Sequence, residues 1–139
     1  MSDIKGNNSI ISRKAYSFAL DIIVTYNQLI AERKEYVLSK QLLRAGTSIG
    51  ANINEAISGE SKRDFVHKLG VALKEARETS YWLNLLKDSS YISVENFNNL
   101  STSFSEIIRM LSSIILQRKR DILNLKVLNH EVTLITHNS

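Results

Sequence analysis

The sequence predicts an all-α protein, an up-down-up-down antiparallel four-helix bundle. Four stretches carry apolar residues at three- and four-residue steps, the spacing of one helical face. No proline occurs in 139 residues, where average usage would give about seven, and long unbroken helices tolerate few. The segments between the periodic stretches are short, as antiparallel neighbours require. The length suits one domain, with no repeat or low-complexity tract. The bundle is assigned to residues 1–124, followed by a tail, residues 125–139, of undefined structure.

The first helix is expected from about Ser9 to Glu32, with Ile11, Ala15, Phe18, Ile22, Tyr26 and Leu29 as its inner stripe. The charged tract "AERKEY" reads as a solvated connection. The second runs from about Tyr36 to Ile57, with Leu38, Leu42, Ala45, Ile49, Ile53 and Ala56 inward. It stops at "SGES", where Gly59 can take the left-handed conformation that closes a helix. The third starts after Ser61. There "SKRD" is a short form of the capping box, and Asp64 and Lys68 can pair on the surface. Phe65, Leu69, Ala72, Ala76, Thr79, Leu83 and Leu86 form its bundle seam, which ends near "KDSS". The fourth starts after Ser93 with Glu95 in its first turn. Phe97, Leu100, Phe104, Ile107, Leu111 and Ile114 form its seam, and the cationic run Arg118–Arg120 lies near its expected end.

One stretch departs from this plain pattern. "LLRAGTSIGANINEA" carries two mid-helix glycines, and Arg44, Ser48, Asn52 and Glu55 share one helical face. With the turn centred near Gly59, Gly46 faces Ala72, Ser48 faces Gly70, and Arg44 faces Lys74, one turn from Glu78. Gly46, Gly50 and Gly70 would then let the second and third helices approach closely. That would offset a cost of about 1 kcal/mol per mid-helix glycine. Arg44, Ser48, Asn52, Glu55 and Glu78 read as a structural polar network that fixes helix register, with Glu55 opposite Arg63 and Lys62.

Composition excludes several chemistries. Without cysteine there is no disulfide, thiolate metal site or cysteine nucleophile. His67, His130 and His137 have no partner at metal-ligand spacing, so no metal or other cofactor is expected. "GTSIG" and "SGESK" do not complete a phosphate loop, and no serine sits in a nucleophile elbow. No catalytic residue is assigned and no enzyme is expected. No apolar run approaches the ~18 residues of a membrane span, and "MSDIKGNNSI" lacks the apolar core of a signal peptide. A cytoplasmic setting without membrane contact is the expectation. The balance of 18 Lys plus Arg against 14 Asp plus Glu, net +4, permits an anionic partner without demanding one.

In an antiparallel bundle, Lys62 and Arg63 lie at the same end as Arg118, Lys119 and Arg120. These five are the candidate nucleic-acid-binding residues. Trp82 lies off the third seam. It either contacts a neighbouring subunit, as interfacial tryptophans do, or caps the side of its own bundle.

The segment from "LLRAGTSIGANINEAISGESKRDF" through "ALKEARETSYW" closely resembles the bacterial 23S rRNA intervening-sequence proteins. The signature R-A-x-x-S-I-x-x-N-I-x-E is met by Arg44, Ala45, Ser48, Ile49, Asn52, Ile53 and Glu55. The resemblance spans about Ile11 to Leu116, and the last ~20 residues depart from it. It implies a non-enzymatic bundle that forms a ring-shaped homo-oligomer, commonly a pentamer. The same proteins resemble the basic pentameric accessory proteins of diversity-generating retroelements, which bind nucleic acid and a reverse transcriptase. The expected function is therefore self-association with RNA or DNA binding at the basic end. A protein–protein scaffold is the alternative.

Overall fold

A computed structural model describes residues 2–59 and 61–137. It contains four helices, α1 (Ser2–Arg33), α2 (Leu38–Ser58), α3 (Lys62–Asp88) and α4 (Val94–His137), and no strand among the described residues. Each helix packs on its sequence neighbours, and α1 also meets α4, which closes the square. Among the described residues the diagonal pairs make no close backbone approach, as in an up-down-up-down bundle.

The periodic stripes form the core. Ile11, Phe18, Ile22 and Leu29 of α1 interlock with Leu42, Ile49 and Ile53 of α2, and with Leu69, Leu83 and Leu86 of α3. Phe104, Ile107 and Leu111 close the core from α4. No buried side-chain nitrogen or oxygen lacks a partner among the described residues. Thr79, the one polar residue in the α3 seam, donates its hydroxyl to the Glu75 carbonyl at 2.7 Å. It thereby meets its own demand without a second helix.

The helix ends follow local chemistry. Ser61 accepts from the Asp64 amide at 3.0 Å, and Ser93 from the Asn96 amide at 3.1 Å, so both serines cap as the sequence predicts. Gly59 does not take the left-handed conformation. It is extended, with φ −71° and ψ 156°. Left-handed stops lie instead after α1, at Lys34 with φ 51°, and after α3, at Ser90 with φ 65°. The amide of Ser90 donates to the Lys87 carbonyl and that of Tyr91 to the Leu86 carbonyl, the paired bonds of a Schellman closure.

One connection and one helix end also differ from the sequence reading. "AERKEY" is not simply solvated. The Glu35 carboxylate is buried and accepts from the amides of Val37, Leu38 and Ser39 at 3.1, 2.9 and 2.7 Å. It caps α2 from outside the helix, where Val37 offers no side-chain cap of its own. Burial works to raise its pKa, but these amide bonds together hold the carboxyl below the usual glutamate range. The second difference is α4, which continues to His137, so residues 125–137 are helical. Arg118–Arg120 therefore lies inside the helix, away from the carboxyl end of the helix dipole.

Candidate functional site

The polar stripe of α2 divides into separate parts. Arg44 pairs with Glu78, and also with Glu75 at 3.3 Å, across the α2–α3 interface. Glu55 pairs with Lys68 at 2.8 Å rather than with Arg63 or Lys62, and this takes Lys68 away from Asp64. Glu55 thus reaches about one helical turn further along α3 than the position expected opposite it, whereas Arg44 keeps the expected Glu78. The connection is centred beyond Gly59, since α2 runs to Ser58 and α3 begins at Lys62. Ser48 and Asn52 do not bridge the helices. Ser48 donates to the Arg44 carbonyl at 2.6 Å, and Asn52 to the Ser48 carbonyl at 2.8 Å, so both serve their own helix.

The Arg44 pairing lies at the surface, since its side chain keeps 49% exposure. An exposed pair contributes up to about 1 kcal/mol, against the ~3–5 kcal/mol lost when a buried pair is broken. Arg44→Ala is therefore expected to cost about 1 kcal/mol, with Glu78→Ala similar. Urea melts of both singles and the double mutant measure the coupling, and strictly additive losses would show that the two do not interact.

The glycines also pack differently from the sequence reading. A Cβ on Gly46 would come within 2.8 Å of the Ile22 side chain, and one on Gly50 would meet Ala15 at 3.6 Å. Both glycines face α1. Gly70 is exposed, and nothing lies within 4 Å of its missing Cβ, so it brings no helices together. Gly46 and Gly50 lie on the flank of α2 that packs on α1.

Trp82 is partly buried against the core of its own bundle. Its indole N–H donates to Glu78 at 3.3 Å, and the Tyr81 ring stands edge-on at 5.1 Å. Glu78 thus serves both Arg44 and Trp82. A larger outward apolar surface lies on α1, where Tyr16, Leu20, Ile23 and Val24 are all exposed. Its signal was present in the sequence as a second stripe at steps of four and three. The inner stripe, which alone was enough to define the helix, obscured it.

At the far end of the bundle, Arg63 and Lys119 line one groove between α3 and α4, together with His67 and Lys74. Val66, Val71, Ile115 and Ile122 form its apolar lining, and exposed Gly70 leaves its floor open. No carboxylate lines it. Lys62 and Arg120 are exposed at the same end but lie outside the groove. Arg118 is held elsewhere: its guanidinium lies 5.2 Å from the Phe65 ring centre and 3.8 Å from Asp121, and its side chain is only 17% exposed. The sequence reading placed the five cations at one end. It did not find Lys74, which joins them because about three turns of α3 beyond Arg63 carry it along the same groove.

Among the described residues no group of histidine, aspartate and glutamate is arranged to hold a metal ion, and no helix is long and apolar enough to cross a membrane.

The model of the family described as "23S rRNA-intervening sequence protein" matches residues 7–113. The chain belongs to that family. A crystal structure of a protein of unknown function from the S23 ribosomal protein family of Bacteroides thetaiotaomicron is similar to it. The two share 47% identity with a TM-score of 0.78, over 78% of this chain and 97% of that one. No curated protein matches the chain. The family match takes in all of α2 and α3, with the Arg44 stripe and the α3 half of the groove. It ends inside α4, before Lys119.

Proposed function

We propose that this intervening-sequence family member is a non-enzymatic bundle that self-associates and binds structured RNA or DNA along the α3–α4 groove. The observation that carries the reading is a groove lined by Arg63, His67, Lys74 and Lys119 without a carboxylate. Phosphate backbones are bound through such unopposed cations. No serine, threonine or acid stands beside His67 in the groove, so the reading assigns it no catalytic work.

A net charge of +4 on one chain supports only weak binding. Self-association multiplies the groove, and repeated weak contacts gain affinity through effective concentration. The exposed α1 stripe of Tyr16, Leu20, Ile23 and Val24 is the surface assigned to subunit contact, and the family resemblance favours a ring.

Fluorescence anisotropy with a hairpin RNA and a DNA duplex at two salt concentrations tests the binding. The expected result is sequence-tolerant, salt-sensitive affinity, with a log–log slope of about −0.9 per phosphate contact on duplex DNA. Reversal at Arg63, Lys74 and Lys119 to Glu should abolish binding and leave the oligomer mass unchanged. Tyr16→Asp with Leu20→Asp should lower the mass by light scattering and weaken binding through lost avidity. Absence of binding at low salt by an intact oligomer would turn the reading to a protein–protein scaffold.

A further inference from the structure

Cations and apolar side chains run side by side along the α3–α4 groove. At about 100° per residue, Arg63, His67 and Lys74 fall within roughly 40° of one line along α3, and Gly70 and Val66 lie about 20° and 60° from Arg63 on one side of it. That side meets α4, since Glu75 and Lys68, on the other flank, pair with Arg44 and Glu55 of α2. On α4, Ile115, Lys119 and Ile122 recur at steps of four and three and line the same groove. Val66, Ile115 and Ile122 are only half-buried, and Gly70 sets no side chain over them. An apolar strip therefore lies between the Arg63–Lys74 row and Lys119, in a groove of about 610 Å³.

The charges on either side of the strip are free. Lys68 and Arg118 nearby are each held by a carboxylate, at 2.8 and 3.8 Å. Among the described residues Arg63, Lys74 and Lys119 are in no ion pair, and no carboxylate lines their groove. Unopposed cations call for a polyanion. The strip adds a second demand, for something flat or apolar within reach of the same phosphates.

This second demand goes beyond charge and rests on the reading of the groove as a nucleic-acid site. We propose that the groove takes nucleotides whose bases are unpaired, with phosphates on Arg63, Lys74 and Lys119 and a base on Val66, Ile115 and Ile122 above Gly70. In a duplex the base faces are covered by stacking, so the strip would meet only sugar and water. An unpaired nucleotide carries an open base one sugar away from its phosphate and meets both demands at once. Loops and bulges of a structured RNA are then bound in preference to its paired stems. The strip is aliphatic and offers the base no hydrogen-bond partner, so the contact is tolerant of sequence.

Three labelled probes of equal length test this with the full-length protein by fluorescence anisotropy: a thymidine strand, the same strand with abasic sugars, and a duplex. The two single strands carry the same phosphates, so they should share one salt slope, about −0.7 per contact. The thymidine strand should nevertheless bind about tenfold or more tightly than the abasic one. A leucine at Gly70 enters open space, so Gly70→Leu should fold as wild type by circular dichroism. It should cover the strip and bring the thymidine strand down to the abasic level, with the abasic affinity unchanged. Ile122→Ala, from the other helix, should narrow the same ratio. Equal affinity of wild type for the two single strands, or a ratio unchanged in both variants, would overturn the proposal and leave binding by charge in place. Binding of the duplex as tightly as the thymidine strand would also overturn it. No binding of any probe at low salt would remove the nucleic-acid reading itself, and this proposal with it.

Discussion

Replacing Glu35 by Ala should lower folding stability by about 2–3 kcal/mol at neutral pH, a large loss for a residue in a connection. Its carboxylate receives three amides at the start of α2, and the last of them, on Ser39, is fully buried. Hydrogen bonds to a charged group are worth about 1.5–3 kcal/mol, and loss of a helix cap costs up to about 2. Glu35→Gln keeps one acceptor oxygen but no charge and should lose about half as much. The same contact predicts an acid sensitivity. The folded-state pKa is depressed, so the contribution is complete above the unfolded glutamate value of about 4.3. It is lost as pH falls through the lower folded-state value. Urea midpoints measured from pH 7 to pH 3 should fall more steeply for wild type than for Glu35→Gln. Parallel curves, or an alanine loss within the ~0.5 kcal/mol typical of surface changes, would show that water replaces the cap.

Gly46→Val should cost about 3 kcal/mol, at the upper end of overpacking. The new Cβ would collide with Ile22, which is fully buried and stiff at χ1, so neither helix can yield without moving the α1–α2 interface. Gly46→Ala meets the same atoms but gains about 1 kcal/mol of helix propensity and should be only mildly destabilising. The other two mid-helix glycines should respond with the opposite sign. At Gly50 the new methyl makes ordinary contact with Ala15, and at Gly70 it meets open space. Each alanine there should stabilise by about 0.5–1 kcal/mol. Thermal melts of the three alanine variants provide the check. Equal responses at Gly46 and Gly70 would mean that the close α1–α2 contact is absent in solution.

The four helices, their inner stripes and the Ser61 and Ser93 caps were legible in the sequence by itself, because periodicity and capping are local. A helix buries whichever face is apolar, and a serine reaches the amide three residues on wherever the helix goes. The pairing of Arg44 with Glu78 was legible for a related reason, since the length of a hairpin connection limits its register to about one turn. What lies beyond that turn needed the tertiary structure. Glu55 reaches Lys68, one turn beyond the position expected opposite it, and the rotation of α2 about its own axis sets Gly46 and Gly50 against α1. Arg44 is paired yet exposed, which sequence spacing cannot distinguish from paired and buried. Glu35 looked like one charge in a solvated tract, and only the fold of the connection aims it at three amides. The grouping of Arg63, Lys74 and Lys119 joins helices far apart in sequence, and the release of Arg118 to Phe65 and Asp121 depends on side-chain reach. Local pattern determined which segments are helices and which faces turn inward. Distances between segments, and with them the charges left free to meet a partner, were decided by packing.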